Sequence, residues 1–378
     1  MTSPAPIILS LTGPDSHSLA LEVGVGSLRI APDPAGTQHE LNAAPDDVIN
    51  WAVFDDMRTG GGSNWPRWIN YEGNDTSLFN WMHTRRTEAV SFTPHKDMEL
   101  DLSDCKLTAL TLYPRKHRMR IVLPRALHSL SIVGNPALVQ CSSQEDMGSL
   151  RIALGGGANG ALTSVANLSY LHQSKNLSIR NAVLGAPFDC KSLLEYRQLR
   201  SISLYGTMSH LEALAELQLE ALELRFIADL TGLPELSAWP QLRGLIAWNA
   251  DETIGRRLRK EIKSRSTCDG DHFSVSQLRN REWFVEECGL PFGAWSSKNE
   301  KAASKAFKSA AKRLRAANGN DDARAAVVEF VERINQLQGI ETAERDDVSV
   351  AAGLLATICP DLVSAEQVDA WLNDTRDF

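Results

Sequence analysis

The sequence predicts an α/β protein built from one short unit that is repeated along the chain. The first observation is the stretch 123–135, which reads L-P-x-x-L-x-x-L-x-I-x-x-N. The second is that weaker copies of its core recur on both sides, at offsets of 20 to 27 residues. The third is that the pattern changes from repeats to helical periodicity after residue 272. Together they predict a repeat array followed by a helical region.

The repeated unit is that of a leucine-rich repeat, in which each turn of a solenoid contributes one short strand to a curved parallel sheet. Two apolar residues flank one exposed residue in each strand and stack on their counterparts in the neighbouring turns. Successive strand cores are offset by 20, 20, 20, 27, 25, 20 and 23 residues. Eight cores fit the pattern: Val90-Ser91-Phe92, Leu110-Thr111-Leu112, Leu130-Ser131-Ile132, Leu150-Arg151-Ile152, Leu177-Ser178-Ile179, Ile202-Ser203-Leu204, Leu222-Glu223-Leu224 and Leu245-Ile246-Ala247.

Three parts of the chain differ in pattern. Residues 1–87 contain short strand-like runs and many aromatic residues, and we expect a β-rich N-terminal cap region that covers the first repeat. An aromatic recognition surface is the alternative for this segment. Residues 88–265 form the leucine-rich-repeat solenoid, and residues 272–378 form an α-helical C-terminal domain. The aromatic residues in question are Trp51, Phe54, Trp65, Trp68, Tyr71, Phe79 and Trp81.

The segments that connect the strands change character along the array. Early connections contain Pro114, Pro124 and Pro136, which favour extended geometry. Later connections, at 192–196 and 211–217, have a helical pattern. Beyond the array the predicted helices are 274–288, 298–317, 321–338, 344–358 and 364–374, the last with a capping-box spacing from Ser364 to Gln367.

Composition excludes several classes of protein. The net charge of -8 argues against a general nucleic-acid binder, for which a basic balance is expected. No apolar run reaches the roughly 20 residues that span a bilayer. The N-terminal residues lack the positive flank of a secretory signal peptide, and the six cysteines show neither zinc-ligand nor disulfide-framework spacing. We therefore expect a cytoplasmic protein with reduced thiols.

Motifs for catalysis, metals and cofactors are not convincing. The stretch 155–160 matches G-x-G-x-x-G, but no acidic residue follows about 20 positions later and the surroundings are repeat units. The nine histidines show no metal-ligand spacing, and no G-x-S-x-G elbow is present. The sequence thus predicts a protein that is not an enzyme, with no catalytic residue, no cofactor and no metal.

The proline-bearing repeat at 123–135 resembles those of the enterobacterial type III secreted ubiquitin ligases. That family carries its nucleophile in a Cys-x-Asp motif, which no cysteine of this chain has, so ligase activity is not carried over. The tail, roughly residues 240–378, is similar to bacterial leucine-rich-repeat proteins of unassigned function, some named "gliding motility protein". This resemblance implies a bacterial repeat protein and supplies no site residues.

A partner-binding surface is the leading functional hypothesis. Between the inward residues lie Thr111, Ser131, Arg151, Ser178, Ser203 and Glu223, and further residues follow on the same, predicted concave face. Tyr, Trp and Arg are enriched at the energetic centres of protein interfaces, although any exposed strand surface carries some polar and aromatic residues. We predict that Tyr205 and Trp248 anchor a protein partner and that Arg180 and Arg225 pair with its acidic groups. The full predicted set is Tyr113, Arg151, Arg180, Tyr205, Glu223, Arg225 and Trp248.

Two alternatives remain open. A secreted effector or enzyme would hold an unrecognised site in the C-terminal helices, around Cys268 or Cys288. Nucleic-acid binding would use a lysine-bearing helix face. A second basic cluster, at 115–120, is expected on the convex side. A solvated surface explains the lysines adequately and is the favoured interpretation. They are Lys298, Lys301, Lys305, Lys308 and Lys312.

Overall fold

A computed structural model describes residues 7–19, 26–32, 40–55, 57, 63–144, 147–156, 161–265, 268–360 and 362–377, without the side chains of residues 342 and 343. The chain divides into two compact units, Met1–Leu278 and Arg279–Phe378. The first unit contains a long parallel sheet, and the second is helical. The sequence-based expectation of an α/β protein with a C-terminal helical region is therefore confirmed.

Strands are numbered in chain order over the described residues. They are β1 (Ile7–Leu9), β2 (His17–Leu19), β3 (Ser27–Ala31), β4 (Glu40–Asn42), β5 (Trp68–Glu72), β6 (Thr87–Thr93), β7 (Met98–Asp101), β8 (Leu107–Leu112), β9 (Met119–Val122), β10 (Ser129–Val133), β11 (Val139–Ser142), β12 (Arg151–Gly155), β13 (Asn176–Arg180), β14 (Phe188–Asp189), β15 (Ser201–Tyr205), β16 (Met208–Ser209), β17 (Ala221–Ile227), β18 (Gly244–Asp251) and β19 (His272–Arg279).

Twelve of these strands form one sheet within the described part of the chain, in the order β19-β18-β17-β15-β13-β12-β10-β8-β6-β5-β3-β4. Neighbouring strands from β4 to β18 run parallel. From β5 to β19 the spatial order follows the chain, whereas β4 lies outside β3 at the edge.

An apolar ladder holds the strands in register. Leu130 pairs with Leu110 on one side and Ile152 on the other, and the same row continues through Leu177, Ile202, Leu222 and Leu245. Each of these side chains is at most 2% exposed. Fully burying an aliphatic side chain stabilises a fold by about 1.5 to 3 kcal/mol, so the ladder contributes strongly to the cohesion of this unit.

One predicted strand core is wrong by two residues. The core of β12 is Ile152-Ala153-Leu154, because Ile152 rather than Leu150 pairs with Leu130. A short 3-10 turn at Met147–Ser149 precedes the strand and takes up the extra length. Leu150 is still buried, but it lies before the strand.

The return connections form a second layer over the ladder. The early, proline-bearing ones pair as a parallel three-stranded sheet, β11-β9-β7. The later ones contain 3-10 helices at Cys190–Glu195 and Leu211–Glu216 and the two-stranded sheet β14-β16. Their apolar side chains join the sheet in one continuous core, so the predicted change of character along the array is present in the structure.

Aromatic side chains fill the N-terminal end of this core. Trp51, Phe54, Tyr71, Phe79 and Trp81 are all buried, with ring centroids 5.3 Å apart for Trp51 and Tyr71. The strands β3, β4 and β5 of the same segment belong to the long sheet. Burial favours a packing role for these five residues, whereas Trp65 is half-buried and Trp68 is 40% exposed.

Among its described residues the first unit has two α-helices, α1 (Ser77–Trp81) and α2 (Glu252–Ser264), the latter capped by the Asp251 carboxylate. The second unit contains α3 (Arg281–Cys288), α4 (Ser297–Ala316), α5 (Asn320–Asn335), α6 (Thr342–Ala356) and α7 (Ala365–Thr375). The helices α4 to α7 enclose a separate core rich in alanine, and α7 begins with the predicted capping box of Ser364 and Gln367. No helix in the described ranges is both long enough and apolar enough to cross a membrane.

The predicted helix 274–288 is wrong in its first half. Residues 272–279 form β19 beside β18, and a helix begins only at Arg281, after Asn280 caps it. The edge of a sheet offers unpaired backbone groups, and the His272 N–H donates to the Arg243 carbonyl at 2.8 Å. This pairing outweighs the local helical pattern.

Replacing Gly206 is expected to destabilise the first unit. Its φ is +93°, and a Cβ there would lie 2.3 Å from the Asn181 carbonyl oxygen. We expect Gly206→Ala to lower the free energy of unfolding by roughly 2 kcal/mol or more, measured by urea denaturation. Gly155→Ala is the control, because its Cβ would meet Arg180 only at ordinary contact distances of 3.6 and 3.7 Å. Equal stability of the two variants would contradict this account.

The Asp55–Arg85 ion pair makes stability depend on pH. Arg85 donates to Asp55 at 2.5 and 2.6 Å, and the Trp81 indole donates at 2.9 Å; the Arg85 hydrogen bond lowers the pKa of Asp55 from its usual 3.8. A lowered pKa stabilises the fold above pH 3.8, and this stability is lost as the pH falls through the folded value. We expect Asp55→Asn to cost roughly 1 kcal/mol near neutral pH.

The measurement is urea unfolding of the wild type and Asp55→Asn proteins at about pH 7 and about pH 3. The difference in unfolding free energy should shrink at the lower pH, whereas the exposed Asp104→Asn control should show little difference at either. A cost of Asp55→Asn that is independent of pH would rule out the ion pair as its cause.

Candidate functional site

The candidate site lies on the face of the long sheet opposite the apolar ladder, which we call the open face. Its middle row consists of small side chains along the central strands. Ser131 is level with Thr111 and Ala153, and the row continues through Ser178 and Ser203. All of these residues are half-buried. The small side chains leave the open face accessible along the central strands.

Larger side chains follow at the carboxyl ends of the last strands. Arg180 on β13 pairs in register with Tyr205 on β15, which pairs with Arg225 on β17, which pairs with Trp248 on β18. Neighbouring strands lie about 4.8 Å apart, so these four side chains form one line across four strands. With Phe226, described next, we call them the arginine–aromatic row.

Phe226 belongs to this row although strand alternation alone predicts that it points inward. Its φ is +52°, a left-handed conformation that interrupts the alternation, and Ile227 resumes the buried side opposite Ala250. The Phe226 ring lies 5.1 Å from the Tyr205 ring and 5.0 Å from the Trp248 ring, centroid to centroid. The three rings therefore form one aromatic cluster. The only sequence signal for it is the consecutive apolar pair Phe226–Ile227.

Both arginines of the row stack on aromatic rings. The Arg180 guanidinium lies 4.8 Å from the Tyr205 ring centroid, and that of Arg225 lies 5.7 Å from the Trp248 centroid. Such contacts are worth about 0.5 to 1 kcal/mol at exposed sites. They hold the guanidinium groups over the rings.

The two arginines differ in their electrostatic state. Arg225 Nε donates to Glu223 Oε1 at 2.5 Å, two residues earlier on the same strand. Arg180 is exposed, and no ion pair of Arg180 is found in the part of the chain that the structure describes. The positive charge of Arg225 is thus largely compensated within the row, whereas that of Arg180 is available to a ligand.

The other predicted site residues lie elsewhere. Arg151 is exposed at the amino end of β12, level with Ser129 and Asn176, so it shares the open face but not the row. Tyr113, 37% exposed, directly follows β8, three strands away from Arg180 in the sheet order. Glu223 acts through Arg225. The structure therefore brings together Arg180, Tyr205, Glu223, Arg225 and Trp248 of the predicted set and leaves Tyr113 and Arg151 apart.

Four of the six cysteines are not activated in the way that a nucleophile requires. Burial raises the pKa of Cys105, Cys141 and Cys190 to about 12. Burial also raises the pKa of Cys288, with Glu287 adding to the effect, so this thiol is protonated near neutral pH. In the described residues no group of three or more His, Cys, Asp or Glu side chains is arranged to hold a metal ion.

The lysine face of α4 behaves as a solvated helix surface. Lys298, Lys301, Lys305 and Lys312 are exposed, and Lys308 pairs with Glu287 at 2.7 Å. The opposite side of α4 is buried, as predicted, and packs into the second core. The residues 157–160 of the glycine-rich motif lie outside the described residues.

Comparisons with known proteins add no family to this picture. No family model, no curated protein and no solved structure matches the chain. The assignment of a site therefore rests on the strand register, the ring contacts and the Glu223–Arg225 ion pair.

The stacking of Arg180 on Tyr205 is testable by a double-mutant cycle. We expect Arg180→Met and Tyr205→Leu to show a coupling energy of about 0.5 to 1 kcal/mol in urea unfolding. Arg151→Met combined with Tyr205→Leu is the control and should show no coupling, because Arg151 lies at the far end of β12. Additive effects of Arg180→Met and Tyr205→Leu would contradict the stacking.

Proposed function

We propose that the chain is a leucine-rich-repeat solenoid protein of bacterial type that binds a protein partner on the open face of its sheet and catalyses no reaction. The repeat assignment is supported by the apolar ladder, in which one residue of each successive unit occupies an equivalent buried site. Offsets between paired ladder residues from Val90 to Leu245 are 20, 20, 22, 25, 25, 20 and 23 residues. These values lie in the range of about 20 to 29 that such repeats show.

The observation that carries the binding proposal is the arginine–aromatic row. Five large side chains from four strands converge on one edge of an otherwise small-residue surface. Clusters of Trp, Tyr and Arg dominate the energy of protein interfaces, because they bury large areas and retain hydrogen-bonding groups. The half-buried rings of Tyr205, Phe226 and Trp248 would pack against apolar groups of the partner.

Electrostatics indicate the chemistry of the partner surface. Arg180 offers guanidinium N–H groups beside the Tyr205 ring, a geometry suited to a carboxylate. Glu223 holds the Arg225 guanidinium in place and compensates part of its charge. Arg225 would therefore contribute hydrogen bonds with less net charge than Arg180. The proposal is therefore a partner that presents an acidic group next to apolar side chains. A regulatory scaffold or an immunity-type protein is compatible with this chemistry.

The cellular setting is part of the proposal. All six cysteines are free, which suits the reducing cytoplasm. The competing hypothesis, an effector or enzyme with its site in the C-terminal helices, has less support, because the pKa of Cys288 is raised.

Capture on the immobilised full-length protein tests the binding proposal. The lysate of the source cells is passed over the wild type and over the row variant, Arg180→Glu/Tyr205→Ala/Trp248→Ala. The control is Arg120→Glu/Gln140→Ala, which makes the same change in net charge on the three-stranded sheet β11-β9-β7. Circular dichroism and thermal melting establish that each variant is folded. We expect a protein that wild type and control retain and the row variant loses.

The captured protein is then purified and its affinity measured by calorimetry. Loss of interface anchors typically costs 2 kcal/mol or more, so the dissociation constant of the row variant should rise at least about tenfold. A partner that binds all three proteins equally would place the interface away from the row and overturn the proposal.

A further inference from the structure

A cleft lies at the carboxyl ends of β6, β8 and β10, away from the arginine–aromatic row. Its volume is about 1150 Å³, large enough for a small organic ligand. The chain has 47 acidic against 39 basic residues, yet no carboxylate is found among the described residues that line the cleft. Arg115, Lys116, His117 and His95 do line it. A cationic cleft in an acidic protein favours an anionic ligand.

Three of these side chains come from one tight turn. The His117 N–H donates to the Pro114 carbonyl at 2.8 Å, so Arg115 and Lys116 occupy the two central positions. Arg115 has a φ of +51°, which such turns usually assign to Gly, Asn or Asp. Consecutive like charges and a left-handed arginine both oppose folding. Strained residues of this kind concentrate at binding sites.

Glu72 holds the arginine in place. Its Oε1 accepts from Arg115 Nη2 at 2.9 Å and lies 2.9 Å from His95 Nε2. A guanidinium has five N–H donors, and the Arg115 side chain remains 56% exposed, so donors remain for a ligand. Lys116 is exposed and has no ion pair in the described part of the chain.

The remaining walls of the cleft are largely uncharged. Tyr113, 37% exposed, lines the cleft, and the half-buried Val133 adds apolar surface. An anion bound at the turn would therefore have an aromatic and apolar surface beside it. This combination suits a ligand with a charged head and an organic body better than a bare inorganic ion.

We propose that this cleft binds a small organic phosphate, with the phosphate on Arg115 and Lys116 and the organic part along Tyr113 and Val133. His117 is a weaker contact, because its Nδ1 already lies 3.6 Å from Asp97 Oδ1. Arginine forks and lysine point charges are the usual phosphate partners. The site uses none of the residues of the arginine–aromatic row, so it stands independently of the proposed partner binding.

Calorimetry with the full-length protein tests the proposal, with inorganic tripolyphosphate and ATP as probes at about 0.1 M salt. We expect Arg115→Gln/Lys116→Gln to weaken binding of both probes at least about tenfold. The control Arg118→Gln/Arg120→Gln removes the same charge from residues outside the cleft lining and should change affinity less than about twofold. ATP should bind more tightly than tripolyphosphate, because only ATP reaches the apolar walls.

Three results would overturn the proposal. They are no binding of either probe at roughly 1 mM, equal weakening by both variant pairs, and ATP binding no tighter than that of tripolyphosphate. The third result would refute the placement of the organic part of the ligand along the apolar walls of the cleft.

A second variant separates binding from stability. Arg115→Gly relieves the left-handed strain, so its melting temperature should equal or exceed that of wild type while probe binding weakens as in the glutamine pair. A lowered melting temperature with unchanged binding would assign Arg115 a structural role and refute the proposal.

Discussion

The residue-for-residue register of the parallel sheet is the constraint on which the rest of the structure depends. Side chains alternate between faces, so a slip of one residue would expose the buried ladder and bury the open face. A slip of two preserves the faces but moves every side chain along the strand. The Ile152–Leu130 pairing shows the second case, because it places Arg151 on the predicted face but at the opposite end from Arg180. The arginine–aromatic row exists only because four adjacent strands keep the same register.

The point at which side chains stop alternating between the two faces of the sheet shapes the site as much as the register does. Gly206, Phe226 and Asn249 follow level residues on adjacent strands and all have positive φ. At Gly206 the backbone of the neighbouring strand leaves no room for a side chain, whereas at Phe226 the same turn of the chain brings an aromatic ring between two others. A left-handed residue in a strand is unfavourable, and here the ring contacts offset part of that cost.

Sequence periodicity predicted what depends on burial and missed what depends on backbone geometry. The ladder residues and most of the row could be predicted, since alternation and repeat spacing determine which side chains face inward. Phe226 could not, because its position follows from a left-handed φ that no pattern marks. Residues 272–279 form a strand for a similar reason: the open edge of β18 provides hydrogen-bond partners that are visible only once the sheet exists.

Unpaired cations alone do not identify a site in this acidic chain. Many arginines are used within the fold, as in the pairs of Arg29 with Glu40 and Arg85 with Asp55. Lys298, Lys301, Lys305 and Lys312 of α4 are exposed and have no ion pair in the described part of the chain either, but they project from a single helix. Arg180 and Lys116 differ, because each lies beside aromatic or apolar groups from neighbouring strands. Convergence of several elements on one cation distinguishes a surface that can recognise a ligand from one that is only solvated.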